Sequence, residues 1–182
     1  MALKLTTSYL EDTISIFRYY KKLAEGAMTQ ISDDQLFAAL DPESNSIAIV
    51  AKHMIGNMRS RFTDFLTTDG EKPTRNRDCE FVDPAPTRQA LLDEWEAAWA
   101  CLFSTLESLT EDDLRRTITI RSEPHSVMQA INRQVAHYAY HVGQIVMLAK
   151  HLGQDHWQSL SVPRNTSAEF NRKVAAGEAS QR

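Results

Sequence analysis

Cysteine is close to absent from this chain of 182 residues. Cys79 and Cys101 form no CxxC or other metal-ligating spacing, and such sparse use fits a reducing, cytoplasmic compartment. Glycine is also scarce, and the six present make neither a phosphate loop nor a dinucleotide fingerprint. No run approaches the roughly 18 apolar residues that cross a bilayer, so no membrane partner is expected. The opening MALKLTTSYLEDTISIF is amphipathic and broken by Glu11 and Asp12, unlike the continuous apolar core of a signal peptide. Without secretion, the acceptor triplet Asn165-Thr166-Ser167 carries no weight. The formal net charge of −4 offers no basic excess, which argues against nucleic acid as a partner.

What remains is an ordinary soluble balance, 42% hydrophobic and 24% charged, in a chain long enough for one domain with a full core. Helical periodicity dominates. Leu10, Ile14, Phe17, Tyr20, Ala24, Ala27 and Ile31 recur at steps of three and four and predict a helix from about Thr7 to Ile31. Ser32-Asp33-Asp34-Gln35 reads as a capping box opening a short turn. A second helix is expected from Ile47 to Leu66, its polar stripe made of His53, Asn57, Ser60 and Asp64. Thr67 to Pro86 is punctuated by Asp69-Gly70, Pro73, Pro84 and Pro86 and reads as a long connection. Its simplest role is to cross the end of the fold, although Arg75, Arg77 and Phe81 would let it cover a cavity. Thr87 caps a third helix, Arg88 to Ser108, with Trp95 and Trp99 in its apolar seam.

Arg116 to Arg121 is the one strand-like piece, an ornament before a fourth helix. That helix is expected to open near Pro124 to Ser126 and to end at Gly153 as a C′ glycine. The fold class is therefore all-α: a four-helix bundle in residues 1–165, followed by a partly frayed tail, 166–182.

The chemistry concentrates in NRQVAHYAYHVGQI on the fourth helix. His137 and His141 are four residues apart, so both rings leave one side of the helix, about 40° apart. They border the apolar face, near the solvent-reachable rim of the core. Two ligands hold an ion poorly, and His53 is the best third candidate, because the first and third helices contain no histidine. His125, His151 and His156 lie too far along the chain or around the helix. Spacing alone leaves open the alternative of solvated histidines on polar faces.

Taken together, AKHMIGNMRSRFTDF, the loop DGEKPTRNRD and NRQVAHYAYHVGQI resemble the DinB-like, or YfiT-type, superfamily over nearly the whole chain. The resemblance implies a four-helix bundle whose metal ligands are His53, His137 and His141, and a homodimer. It implies a divalent ion, zinc or nickel first and iron after them, and possible use of a low-molecular-weight thiol such as bacillithiol. It further implies an S-transferase or hydrolase acting on a small molecule, although many relatives have no assigned reaction. A non-catalytic metal or small-molecule binder and an apo dimeric scaffold are the alternatives. Asn57, Gln144 and Asp64 are expected to orient the rings. Arg59, Arg75 and Arg77 could meet a carboxylate on the ligand, although each taken singly reads first as a solvated or loop-pinning arginine.

Overall fold

The computed structural model describes residues 5–82 and 85–180. It is mostly helical, with a single two-stranded sheet among the described residues. In chain order the elements are α1 (Tyr9–Met28), α2 (Asp33–Phe37), α3 (Ile47–Phe62), α4 (Arg88–Ser108), β1 (Thr117–Ile120), β2 (Glu123–Ser126), α5 (Val127–Gly153) and α6 (Ser167–Ala175). The long helix α3 packs on α4 and α5, and α1 packs on α5 and α4. Phe17, Trp95, Trp99 and Tyr138 meet where they converge, with Phe17 and Tyr138 ring centroids 5.6 Å apart.

Helix starts follow local chemistry. Ser8, Ser32, Ser46, Thr87 and Ser126 each take an extended backbone, and each side-chain hydroxyl accepts an N–H from the first turn. Because Ser32 must be extended to cap α2, α1 stops at Met28 rather than Ile31, yet Ile31 remains buried. The second long helix also ends early. Thr63 is extended and Asp64 has φ +47°, so the chain turns at Asp64 instead of running on to Leu66. This reversal brings Gly70 back onto α3, where its carbonyl accepts from Ser60 Oγ at 2.8 Å and from Arg61.

The strand-like segment has a partner that the sequence reading placed in the last helix. Residues 123–126 form β2, antiparallel to β1, with Ile118 opposite His125 and Ile120 opposite Glu123. Arg121 and Ser122 both have positive φ, the geometry of a tight two-residue hairpin turn. Asp69 supports that turn from outside: its carboxylate accepts from the N–H groups of Arg121 and Ser122, each at 2.8 Å. Together with the N–H of Glu71, the strongest influence, these bonds hold Asp69 well below the usual carboxylate range. Ile118 and Ile120 point the other way, into the core.

At its far end α5 closes differently from the expectation. Gly153 is the last helical residue, with φ −75°, and Gln154 takes the positive φ of 47°. The tail carries α6, a helix with no buried residue.

Gly143 lies inside α5, where a glycine costs about 0.5–1 kcal/mol relative to alanine. A β-carbon there would meet nothing within 4 Å. Gly143→Ala should therefore stabilise the fold by about 0.5–1 kcal/mol and raise the melting temperature by roughly 2 °C in a thermal scan.

Candidate metal centre

Of the polar stripe on α3, His53, Asn57 and Ser60 are less than a tenth exposed, as is Arg61 beside it, while Asp64 is exposed. The 67–82 connection lies against this face, with Gly70 bonded to Ser60 and Glu80 to His53. His53 faces His137 and His141 on α5. His137 Nε2 lies 3.2 Å from His53 Nε2 and 3.0 Å from His141 Nε2, and the three rings offer ligand atoms within 4.8 Å of one another. His53 and His141 are buried and His137 is half-buried, so the cluster sits deeper than a rim position.

Two partners orient the rings. Glu80 Oε2 accepts from His53 Nδ1 at 2.8 Å, and Gln144 Oε1 accepts from His141 Nδ1 at 2.8 Å. With protons on Nδ1, each ring turns an Nε2 lone pair toward His137. His137 Nε2 can donate to one of them but not to both. At least one Nε2 lone pair, about 3 Å from its neighbour, is then left with no proton to accept, and a cation would satisfy it. The spacing also fits: bonds of about 2.05 Å around a tetrahedral ion put donor nitrogens about 3.3 Å apart.

Electrostatics keep the rings available. Burial, followed by the nearby His141 and His53, pushes the His137 imidazole down to about 3. Burial also lowers His141, against the opposing hydrogen bond from Gln144. Both are neutral near pH 7, the form that ligates a metal.

Of the expected orienting residues, only Gln144 acts as proposed. Asn57 Oδ1 instead accepts from Tyr138 Oη at 2.9 Å, deep in the core. Asp64 is exposed in the turn after α3 and reaches no histidine, because the helix that would have carried it onto the stripe has already ended. The arginines divide as well. Arg59 pairs with Glu94 on α4. Arg75 is committed to Glu80, meeting both carboxylate oxygens at 2.8 and 2.9 Å, and to Glu71. Arg77 lies over the Phe81 ring at 4.9 Å, and Phe81 in turn lies against His53, with ring centroids 4.7 Å apart. The long connection thus covers the cluster rather than simply crossing the end of the fold.

Glu80 was not anticipated from sequence. Burial pushes its carboxyl up, but the hydrogen bonds from His53 and Arg75 outweigh this and leave it below the usual range. It reaches His53 because α3 carries Gly56: a β-carbon there would lie 2.2 Å from Glu80 Oε1. A glycine inside a helix, three residues after a candidate ligand, was the available signal, since it marks a close approach. What approaches is set by the loop.

The cluster opens into a cavity of about 470 Å³ lined by His53, His137, Gln134, Tyr140 and several arginines. A larger cavity of about 690 Å³ lies across Arg75 and Glu80, lined by Ser60, Thr63, Asp64 and Lys72, with no histidine in its wall.

Two outcomes test this geometry. Gly56→Ala should drive Glu80 off His53 and cost about 2 kcal/mol in urea denaturation, the scale of a buried hydrogen-bonding group left unsatisfied. The second concerns pH. Between about 6.5 and about 3, the unfolded chain binds a proton at His137 that the folded chain refuses. The metal-free protein should therefore hold this contribution above pH 6.5 and lose it as pH falls toward 3. His137→Gln should flatten that loss when urea midpoints at pH 7 and about pH 5 are compared.

Residues 4–166 match the profile of a family described as proteins of unknown function (DUF1572). No curated protein matches the chain. All three histidines and both residues that orient them fall inside the matched span, and the chain belongs to DUF1572, a DinB-like family.

Proposed function

We propose that this protein is a divalent-metal-dependent enzyme of the YfiT-like four-helix-bundle type, with His53, His137 and His141 as its ligands. The carrying observation is the convergence of three Nε2 atoms, with neighbours only 3.0 and 3.2 Å apart, two of whose rings are fixed through Nδ1. A zinc, nickel or iron ion held there would supply Lewis acidity, lowering the pKa of a water or thiol that approaches it.

The chain's own residues do the rest. Glu80 and Gln144 hold the rings in one tautomer and one orientation, and Phe81 shields His53 from water. His137, half-buried and lining the cavity, faces an incoming molecule. Among the described residues no carboxylate lines the histidine cavity, and Tyr140 offers its hydroxyl there. This favours transfer from a low-molecular-weight thiol over hydrolysis. A thiol, with an ordinary pKa of about 8.5, is far closer to its anion at neutral pH than water is, so it needs less help from a general base to become the nucleophile. The cytoplasmic location expected from the sparse cysteines and the homodimer implied by the resemblance belong to this same reading. So does a small-molecule substrate rather than nucleic acid or membrane.

Protein purified without a nickel column should carry about one divalent ion per chain. His53→Ala and His137→Ala should each abolish stoichiometric metal while retaining helical circular dichroism. Glu80→Gln should weaken the affinity by about 10–100-fold. Full occupancy in His137→Ala would sink the ligand set. Metal binding without turnover for any thiol tried would leave a non-catalytic binder.

A further inference from the structure

The histidine cavity has a strongly one-sided wall. Arg61, Arg75, Arg77, Arg121 and Arg133 all line it, and no aspartate or glutamate does among the described residues. Glu71 and Glu80 lie behind this wall and are shared among Arg61, Arg75 and Arg121. Two carboxylates therefore balance only part of the arginine charge. Arg77 and Arg133 make no ion pair among the described residues, and both are exposed. Arg133 precedes His137 by one helical turn, so its side chain and that of His137 leave α5 on the same face.

A second group here also lacks partners. Gln134 lines the same cavity and is only 3% exposed. Its carboxamide oxygen is buried with no hydrogen-bond partner, and no other hydrogen bond reaches the side chain among the described residues. Leaving a buried amide unpaired costs about 1–3 kcal/mol, and a bound polar ligand would recover that. The unpaired atom is an acceptor, so it calls for an N–H or O–H on the body of the ligand rather than for its anionic end.

We propose that the substrate of this site is a small anion, a carboxylate or phosphate compound, whose charge is held by Arg133 and Arg77 and whose polar body is met by Gln134. This rests on the metal-centre reading only for the chemistry at the ligand's other end; the anion subsite is built from residues that do not touch the ion. Arg77 and Arg133 match the planar, two-pronged geometry of carboxylate and phosphate. Arg121, already shared with Glu71, adds positive charge from the hairpin turn.

The test is calorimetric titration of succinate, inorganic phosphate and the neutral analogue succinamide into zinc-loaded and chelator-stripped, dialysed protein. Succinate, phosphate or both should bind saturably to both forms, weaken as ionic strength rises, and bind at least tenfold tighter than succinamide. The relative affinity of succinate and phosphate identifies which acid the subsite prefers. Arg133→Gln with Arg77→Gln should weaken anion binding by tenfold or more. Gln134→Glu, which puts a like charge in the cavity, should do the same. Arg59→Gln, whose arginine is outside this cavity, should leave binding within twofold. The proposal is overturned if neither anion binds, if succinamide binds as well as succinate, or if binding appears only with zinc and ignores the arginine substitutions. The metal reading falls separately: zinc that does not bind, with anion affinity intact, would remove the centre and leave the subsite.

Discussion

A carboxylate sealed inside the protein governs the layout of this site. Glu80 comes from a loop yet is 6% exposed, and a bare charge at that depth would cost several kcal/mol. Three features make it tolerable. Arg75 grips both oxygens, His53 donates through Nδ1, and Gly56 leaves room against the helix backbone. Arg75 is itself buried and depends on Glu80 and Glu71 in return. Each charge is thus the condition for burying the next. Removing any one member would strand its partner, at a cost of about 3–5 kcal/mol.

The same network explains how a connection rich in breakers becomes ordered. Little of the 67–82 segment reaches the apolar core, so hydrophobic burial cannot be its main anchor. Polar bonds hold it instead: Arg61 to Gly70 and Glu71, Glu71 to Arg75, and Arg75 to Glu80. Arg121 joins Glu71 from the hairpin, while Asp69 clamps the hairpin turn. The small sheet is therefore part of the scaffold that aims His53. Because Arg61, Arg75 and Glu80 are buried, salt screens this network less than it screens surface pairs. The result is an imidazole held from its far side by a rigid polar frame, which is how a ligand set is preorganised before an ion arrives.

Much of this was visible in the chain because periodicity is a local property. The stripes of α1, α4 and α5 give the helices, and Trp95 and Trp99 fall in the core where their spacing put them. The histidine trio was visible for a different reason: two members share a helix turn, and the inventory left few choices for the third. What stayed hidden was whatever depends on tertiary return. Glu80 lies twenty-seven residues from the ring it orients, in a segment without periodicity. Glu123 to Ser126 escaped notice because a proline interrupts it and no apolar alternation marks it; pairing with β1 alone makes it a strand. Asp64 misled because a helical stripe was continued past the point where Thr63 turns the chain. Arg133 and Gln134 extend the polar face of α5 one turn beyond His137, at the same steps of three and four. Metal-ligand spacing does not single them out, since neither residue type commonly ligates a metal.

The charge distribution now separates two scales. The chain carries a net charge of −4, so at long range it does not attract anions. Beyond a Debye length of about 8 Å, however, that field is screened, and a ligand entering the cavity meets five arginines and, among the described residues, no carboxylate. The attraction is local, and it acts where the rings are kept neutral by burial. Protonated histidines would add to the positive wall and lose their lone pairs at the same time; neutral ones leave anion recognition to guanidinium groups that stay charged at every physiological pH. The site thus divides its labour by residue type: imidazoles with available lone pairs at the buried end, and permanent cations where the cavity meets solvent. Gln134, whose unpaired carboxamide oxygen lies in the cavity wall, is where a donor on the body of a ligand would be satisfied.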